Sequence, residues 1–373
     1  METLIPIKNI NTRNHHFDFW KGLFAIFVIL VHFPFPGNLG KICSAIGICG
    51  VIFFFLISGY SAYNKDDEIA CKNLKKRFKR NLIILGLVLL IYFVLMTLEQ
   101  LITGQFDDYL SYIKNPWFIP RLLFLGDLSF IKADQLWFMF ALLYSYLVLL
   151  FMHKYKLTKY FYYFLPILLL ARIGVETYVN TYNADWHYTS FFLTSGFPIM
   201  LLGHFIAYKK EAFLKAPISV TIILTLVFTS LMFTTLFVRF LDFDIGQIFK
   251  ILCIFELFIL TLKIPGNKEI KVLGLIGRKY SLYIYLFHFL VGIIVIDVLY
   301  IRENPEWVYD YLMPVLAVIF GVLISILLYK ANDKIKQKRK KSTGRNTKQA
   351  SFIILCCNHI LLNPFASCKP NDE

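Results

Sequence analysis

Charge is scarce in this chain. Only 17% of its 373 residues are Asp, Glu, Lys or Arg, against 58% that are hydrophobic, and the mean hydropathy is +0.62. That balance excludes an ordinary soluble globule and describes a polytopic membrane protein. Acidic charge is scarcer still, with 24 Asp and Glu against 39 Lys and Arg, a formal net charge of +15. A basic excess can mark nucleic-acid binding. Here the basic residues fall in short segments between apolar runs, which is how membrane orientation is encoded, so no nucleic-acid partner is expected. The seven cysteines form no framework: Cys43, Cys49 and Cys253 lie in apolar runs, Cys71 in a basic stretch, and Cys356, Cys357 and Cys368 near the end. Neither disulfides nor a metal site is expected from them. The first apolar run lacks a small-residue cleavage site, so no cleaved signal peptide is expected. No repeat of fixed period is visible, which counts against a repeat-built transporter.

What the chain has in quantity is long apolar runs, rich in 38 Phe and 22 Tyr that suit lipid-facing and interfacial positions. Hydropathy predicts an all-α protein of about ten spans, near 17–35, 43–63, 81–101, 134–152, 160–178, 190–208, 217–238, 245–263, 280–300 and 308–329. With the N-terminus cytoplasmic, the inside segments collect the cluster from Lys72 to Arg80, Lys154 to Lys159, Lys209 to Lys215, Lys263 to Lys279 and a basic tail from Lys330. The outside loops then hold only Lys41, Lys114, Arg121, Lys132, Arg239 and Arg302. That asymmetry alternates as ten spans with both termini in the cytoplasm require, and a multi-pass protein of the plasma or inner membrane is expected. Three parts follow: a cytoplasmic leader 1–16, a transmembrane domain 17–329 and a basic cytoplasmic tail 330–373. Segment 102–133 reads as an external loop with a surface helix, a candidate lid or acceptor site. The tail starts as a basic run suited to anionic lipid, and its apolar stretch 351–365 is too short to span.

The candidate chemistry begins in FDFWKGLFAIFVILVHF, residues 17–33, an apolar run carrying Lys21 and His32. Eleven helical residues at about 100° each bring the two to nearly the same face, roughly 16 Å apart along the axis. A lysine inside a span is costly unless it faces protein, water or ligand. It can instead snorkel to the interface, leaving the histidine only a structural hydrogen bond. On the functional reading His32 takes a proton from an attacking hydroxyl and Lys21 holds an anionic donor or a developing charge. Asp18 pairs with Lys21, either as part of the site or as an ion pair at the helix start. In FFFLISGYSAY, residues 53–63, Ser58 allows close helix approach and Tyr60 lies near the cytoplasmic interface. In the basic cluster after it, Arg77 and Arg80 are the better phosphate ligands, since guanidinium grips phosphate bidentately. His288 lies within the span that starts YSLYIYLFH, with Tyr285 and Ser281 on a nearby face. Trp137 sits at an outer interface, and Arg172 and Glu176 form a helical i, i+4 ion pair. Lys250 and Glu256 do not face each other and need partners elsewhere.

These stretches, in this order, resemble the acyltransferase-3 family of integral-membrane acyltransferases, which includes peptidoglycan and lipopolysaccharide O-acetylases. The resemblance rests on Lys21 and His32 with ten residues between them, FFFLISGY at 53–60, the basic start of the third span, LWF at 136–138, GFPIMLLG at 196–203 and YSLYIYLFH at 280–288. It implies a ten-helix enzyme that takes an acyl group, most often acetyl from acetyl-CoA, and places it on a sugar hydroxyl of an envelope glycan. On that analogy His32 is the catalytic histidine and Lys21 its partner. Arg77 and Arg80 hold the CoA, and Trp137 and His288 line the cavity. The implied partners are acyl-CoA as donor substrate, a glycan acceptor and membrane lipid, with no bound cofactor and no metal. The competing class is a carrier or flippase for a glycan or small metabolite, whose intramembrane charges line a path and transfer nothing.

Overall fold

The computed structural model describes residues 14–104, 106–238, 245–264, 266, 270–298, 305 and 307–342. Residues 1–13 of the leader, Lys268, Arg239, Arg302 and the tail beyond Ser342 lie outside the described residues. Of those described, 88% are helical and none is in a strand. The long helices are α1 (His15–His32), α2 (Gly37–Ala62), α3 (Asp67–Thr103), α4 (Phe106–Lys114), α5 (Trp137–Lys154), α6 (Thr158–Tyr182), α7 (Gly196–Tyr208), α8 (Ile218–Phe237), α9 (Ile245–Lys263), α10 (Ser281–Val298) and α11 (Met313–Ser342). Shorter turns join them.

Among the described residues, seven segments are long and apolar enough to cross a membrane: 37–62, 67–103, 134–154, 158–182, 218–237, 245–263 and 309–335. The other three expected spans are also helical, as α1, α7 and α10, but α7 has only 13 residues. It starts late because residues 191–195 form a turn, where Arg172 donates to the carbonyl oxygen of Ser195 at 2.8 Å. The basic cluster 72–80, expected as a loop, is the first part of α3. Asp66 caps that helix through the backbone N–H groups of Glu68 and Ile69, and the Lys, Arg and Leu that follow are good helix formers. Likewise α11 runs on through Lys330 to Ser342, so the basic start of the tail continues the last helix. Segment 102–133 holds the expected surface helix, α4, and a series of short turns.

Helices α1 and α2 form the centre. They pack on each other, α2 also against α7, and α1 also against α10, α11 and the segment 271–280. α3 packs on α5 and α8 on α9, while α6 and α8 present most of their surface outward. Two glycines set the approach of α1 to 271–280. A Cβ on Gly22 would lie 2.0 Å from the Leu273 carbonyl oxygen, and one on Gly277 would lie 1.8 Å from that of Asp18. The backbones of α1 and of 271–280 are therefore in direct contact beside Asp18 and Lys21. Asn14 caps α1 and ties it to α9 by donating to the Thr261 carbonyl oxygen at 2.6 Å. The helix stops at His32 because Phe33 precedes Pro34, which disfavours helical backbone before it.

Candidate active site

The Asp18 carboxylate and the Lys21 ammonium form an ion pair at 2.9 Å, with the two residues 3% and 1% exposed. Lys21 does not snorkel; it is among the most deeply buried side chains described. His32, eleven residues on, lies at the other end of α1. Its ring meets that of His288 on α10, with centroids 5.1 Å apart, and Phe289 packs edge-on against it at 5.4 Å. His288 is fully buried. Its Nδ1 lies 2.9 Å from the Ile284 carbonyl oxygen and 3.0 Å from that of Tyr285, so this nitrogen carries a hydrogen and donates. In the neutral ring Nε2 then holds the lone pair, and it has no hydrogen-bond partner among the described residues. Tyr285, whose ring lies 6.5 Å from that of His288, donates its hydroxyl to the Gln135 carbonyl oxygen. The Gln135 amide donates to Tyr92, which donates to the Leu286 carbonyl oxygen. The connection before α5 is thus stitched to the helix bearing His288.

A narrow cavity of about 50 Å³ lies below this pair. Ser58 and Ser61 of α2, Arg80 and Asn81 of α3, Phe138 and Met139 of α5, and Ser281 and Tyr285 of α10 are among its lining residues. It joins the basic start of α3 to Tyr285, one helical turn from His288. Of the two arginines singled out from sequence, only Arg80 lines it. Arg77 is buried and donates to the Ser61 hydroxyl at 2.7 Å and the Ser61 carbonyl oxygen at 2.6 Å, holding the end of α2. Tyr60 turns away and packs on Phe258. Trp137, expected in the cavity wall, is not there. It packs on Phe55 and beside Gly126, and the helical period instead turns Phe138, Met139, Leu142 and Tyr146 inward. Arg172 and Glu176 form the expected ion pair, at 2.6 Å.

Two polar clusters carry no signal in the sequence reading. Where α3 and α6 begin and α5 and α7 end, Tyr162 donates to His204 Nδ1 at 2.8 Å, the two imidazoles meet through their Nε2 atoms at 3.0 Å, and His153 Nδ1 faces Asp67 at 2.7 Å. One direction of donation, from Tyr162 through His204 and His153 to Asp67, satisfies every group with both rings neutral. The chain borders an open pocket of about 600 Å³ lined also by Tyr63, Lys65, Lys156 and Lys159. At the opposite end, Asp127, Asp134 and His187 converge to within 4.8 Å and can hold a metal ion. Arg121 bridges Asp127 and Asp185 there at 2.7 Å each. Burial lowers the pKa of the His187 imidazole, and the carboxylates of Asp134, Asp185 and Asp127 around it more than reverse that, so the net shift is upward. Burial pushes the Asp185 carboxyl up, but donors from His187 and Arg121 hold it at about 2.

A protein-family model described as an acyltransferase domain matches residues 14–330, well over half of the chain. No curated protein and no solved structure matches it.

Proposed function

The chain belongs to the acyltransferase-3 family, and from that premise we propose that it moves an acyl group, acetyl from acetyl-CoA, to a hydroxyl of a cell-surface polysaccharide or its precursor. It does so as a ten-helix protein of the plasma or inner membrane with both termini cytoplasmic. The observation that carries this reading is the cavity between Arg80 and Tyr285, with the His32–His288 pair one turn beyond it. A thioester donor needs a cationic grip for its phosphates at one end and a base for the acceptor at the other. Arg80 lines the cavity at one end, and the His32–His288 pair lies one helical turn past Tyr285 at the other.

The donor's nucleotide end rests on the cytoplasmic side, where Lys65, Lys156 and Lys159 border the open pocket and Arg80 stands at the mouth of the cavity. The acyl arm passes between α2, α3, α5 and α10. At about 50 Å³ the passage holds no more than a few waters, so side chains part to admit the arm. His32 removes the proton of the acceptor hydroxyl as that oxygen attacks the thioester carbon. The C–S bond breaks, the thiolate of CoA leaves, and the proton on His32 passes to it or to water. His288, held by its Nδ1, keeps its Nε2 lone pair beside this centre. Lys21 acts at a distance. With Asp18 it forms an ion pair within α1 beside the backbone contact with 271–280, roughly 16 Å along the helix from His32.

The test is consumption of labelled acetyl-CoA by the purified protein in vesicles supplied with envelope glycans. Acetyl appearing on glycan supports the reading. Glycan crossing the bilayer with no donor consumed, by a folded protein, replaces it with a carrier.

A further inference from the structure

On the side of the molecule opposite the basic pocket, the connection between α4 and α5 meets the turn Trp186–Ser190. His187 Nε2 lies 3.3 Å from Asp127 Oδ1, 3.7 Å from Asp134 Oδ1 and 3.4 Å from the Ser129 hydroxyl. That hydroxyl is in turn 2.9 Å and 3.0 Å from the same two carboxylate oxygens. At 3.3 and 3.7 Å, Nε2 stands far from the two carboxylates for a good N–H donor. The 3.3 Å separation is an edge of a coordination shell, in which metal–ligand bonds of about 2.0–2.2 Å place neighbouring ligands about 3.0–3.5 Å apart, while the Ser129 hydroxyl makes ordinary hydrogen bonds to both carboxylates.

The far side of the ring strengthens the case. His187 is 5% exposed, and its Nδ1 donates to Asp185 Oδ1 at 2.7 Å. A carboxylate on the second nitrogen is the arrangement that orients a metal-binding histidine. With Nδ1 so used, Nε2 is the ring atom turned toward the carboxylates of Asp127 and Asp134. Asp127 is itself held, its Oδ2 accepting from Arg121 at 2.7 Å and from Tyr112 at 3.2 Å. Asp127, Asp134 and Asp185 outnumber the one guanidinium, Arg121, that bridges two of them, which favours a bound cation among them.

We propose that Asp127, Asp134 and His187 bind one divalent transition-metal ion, Zn²⁺ or Mn²⁺, with Ser129 beside it. One imidazole with two carboxylates suits these ions better than Mg²⁺ or Ca²⁺, which prefer oxygen throughout. The ion staples the α4–α5 connection to the turn before α7. Asp134 adjoins Gln135, whose carbonyl accepts the Tyr285 hydroxyl, so the staple also steadies the wall of the cavity. This assignment does not rest on the acyl-transfer reading.

The experiment uses the full chain without a polyhistidine tag, stripped with chelator, checked for monodisperse folding and titrated calorimetrically with Zn²⁺ and Mn²⁺. Wild type takes up one equivalent and melts at a higher temperature when loaded. Asp134→Asn and His187→Gln each weaken uptake at least 10-fold, and Ser190→Ala, at the end of the same turn but outside the ligand set, does not. Folded wild type that takes up neither ion overturns the proposal, as does uptake unchanged in both ligand variants. Equal uptake of Mg²⁺ or Ca²⁺ overturns the class of ion.

Discussion

The imidazoles of His32 and His288 lie in ring contact, 5.1 Å between centroids, although one ends the first helix and the other sits inside the tenth. A positioned base contributes about 10²–10⁴-fold in rate. His32→Ala therefore loses turnover by that factor with an unchanged melting temperature. His288→Ala loses a comparable or smaller factor, and the double variant little more than the worse single, because groups acting as a unit are not additive. Steady-state rates of the three variants check this.

The Asp18–Lys21 pair predicts a different response. Both residues are buried, and removing one charge of a buried pair costs about 3–5 kcal/mol by stranding the other. Lys21→Ala should lower the melting temperature and the yield in detergent, and Asp18→Asn with Lys21→Met should recover part of both. Equal stability of Lys21→Ala and wild type would remove the pair from its positioning role.

The two arginines separate in the same way. Arg80→Ala should raise the KM for donor several-fold with little change in melting temperature, since Arg80 lines the cavity. Arg77→Ala should act chiefly on stability, because its guanidinium holds Ser61 at the end of α2. Melting curves and donor KM for both variants decide it.

Backbone contact beside Gly277 leaves no room for a side chain. Gly277→Ala sets a Cβ 1.8 Å from the Asp18 carbonyl oxygen and should abolish recovery of folded protein. Gly174→Ala, on the outward face of α6 with no atom within 4 Å of the added Cβ, should be neutral or stabilising by up to about 1 kcal/mol. Yield of monodisperse protein from the two variants is the comparison.

Much of this was legible in the sequence because charge inside an apolar run is conspicuous. Lys21, His32 and His288 stand out in hydropathy, and so do the apolar helices. The helical start of α3 was not, because a basic stretch reads as a loop until the Asp66 cap is recognised. Arg77 and Arg80 are alike in composition, and only the position of Ser61 tells them apart. Trp137 and Phe138 differ by about 100° around one helix, and which faces inward depends on Phe55 and Gly126. The Asp67–His153–His204–Tyr162 chain and the Asp127–Asp134–His187 cluster each draw on separate elements, with no short spacing to announce them.

The most direct test of the central claim is the rate at which purified protein consumes labelled acetyl-CoA in the presence of a competent glycan acceptor, wild type against His32→Ala. The account predicts turnover by wild type and its loss, by 10²-fold or more, in a variant that folds equally well. Turnover of the variant within a factor of a few of wild type would contradict it.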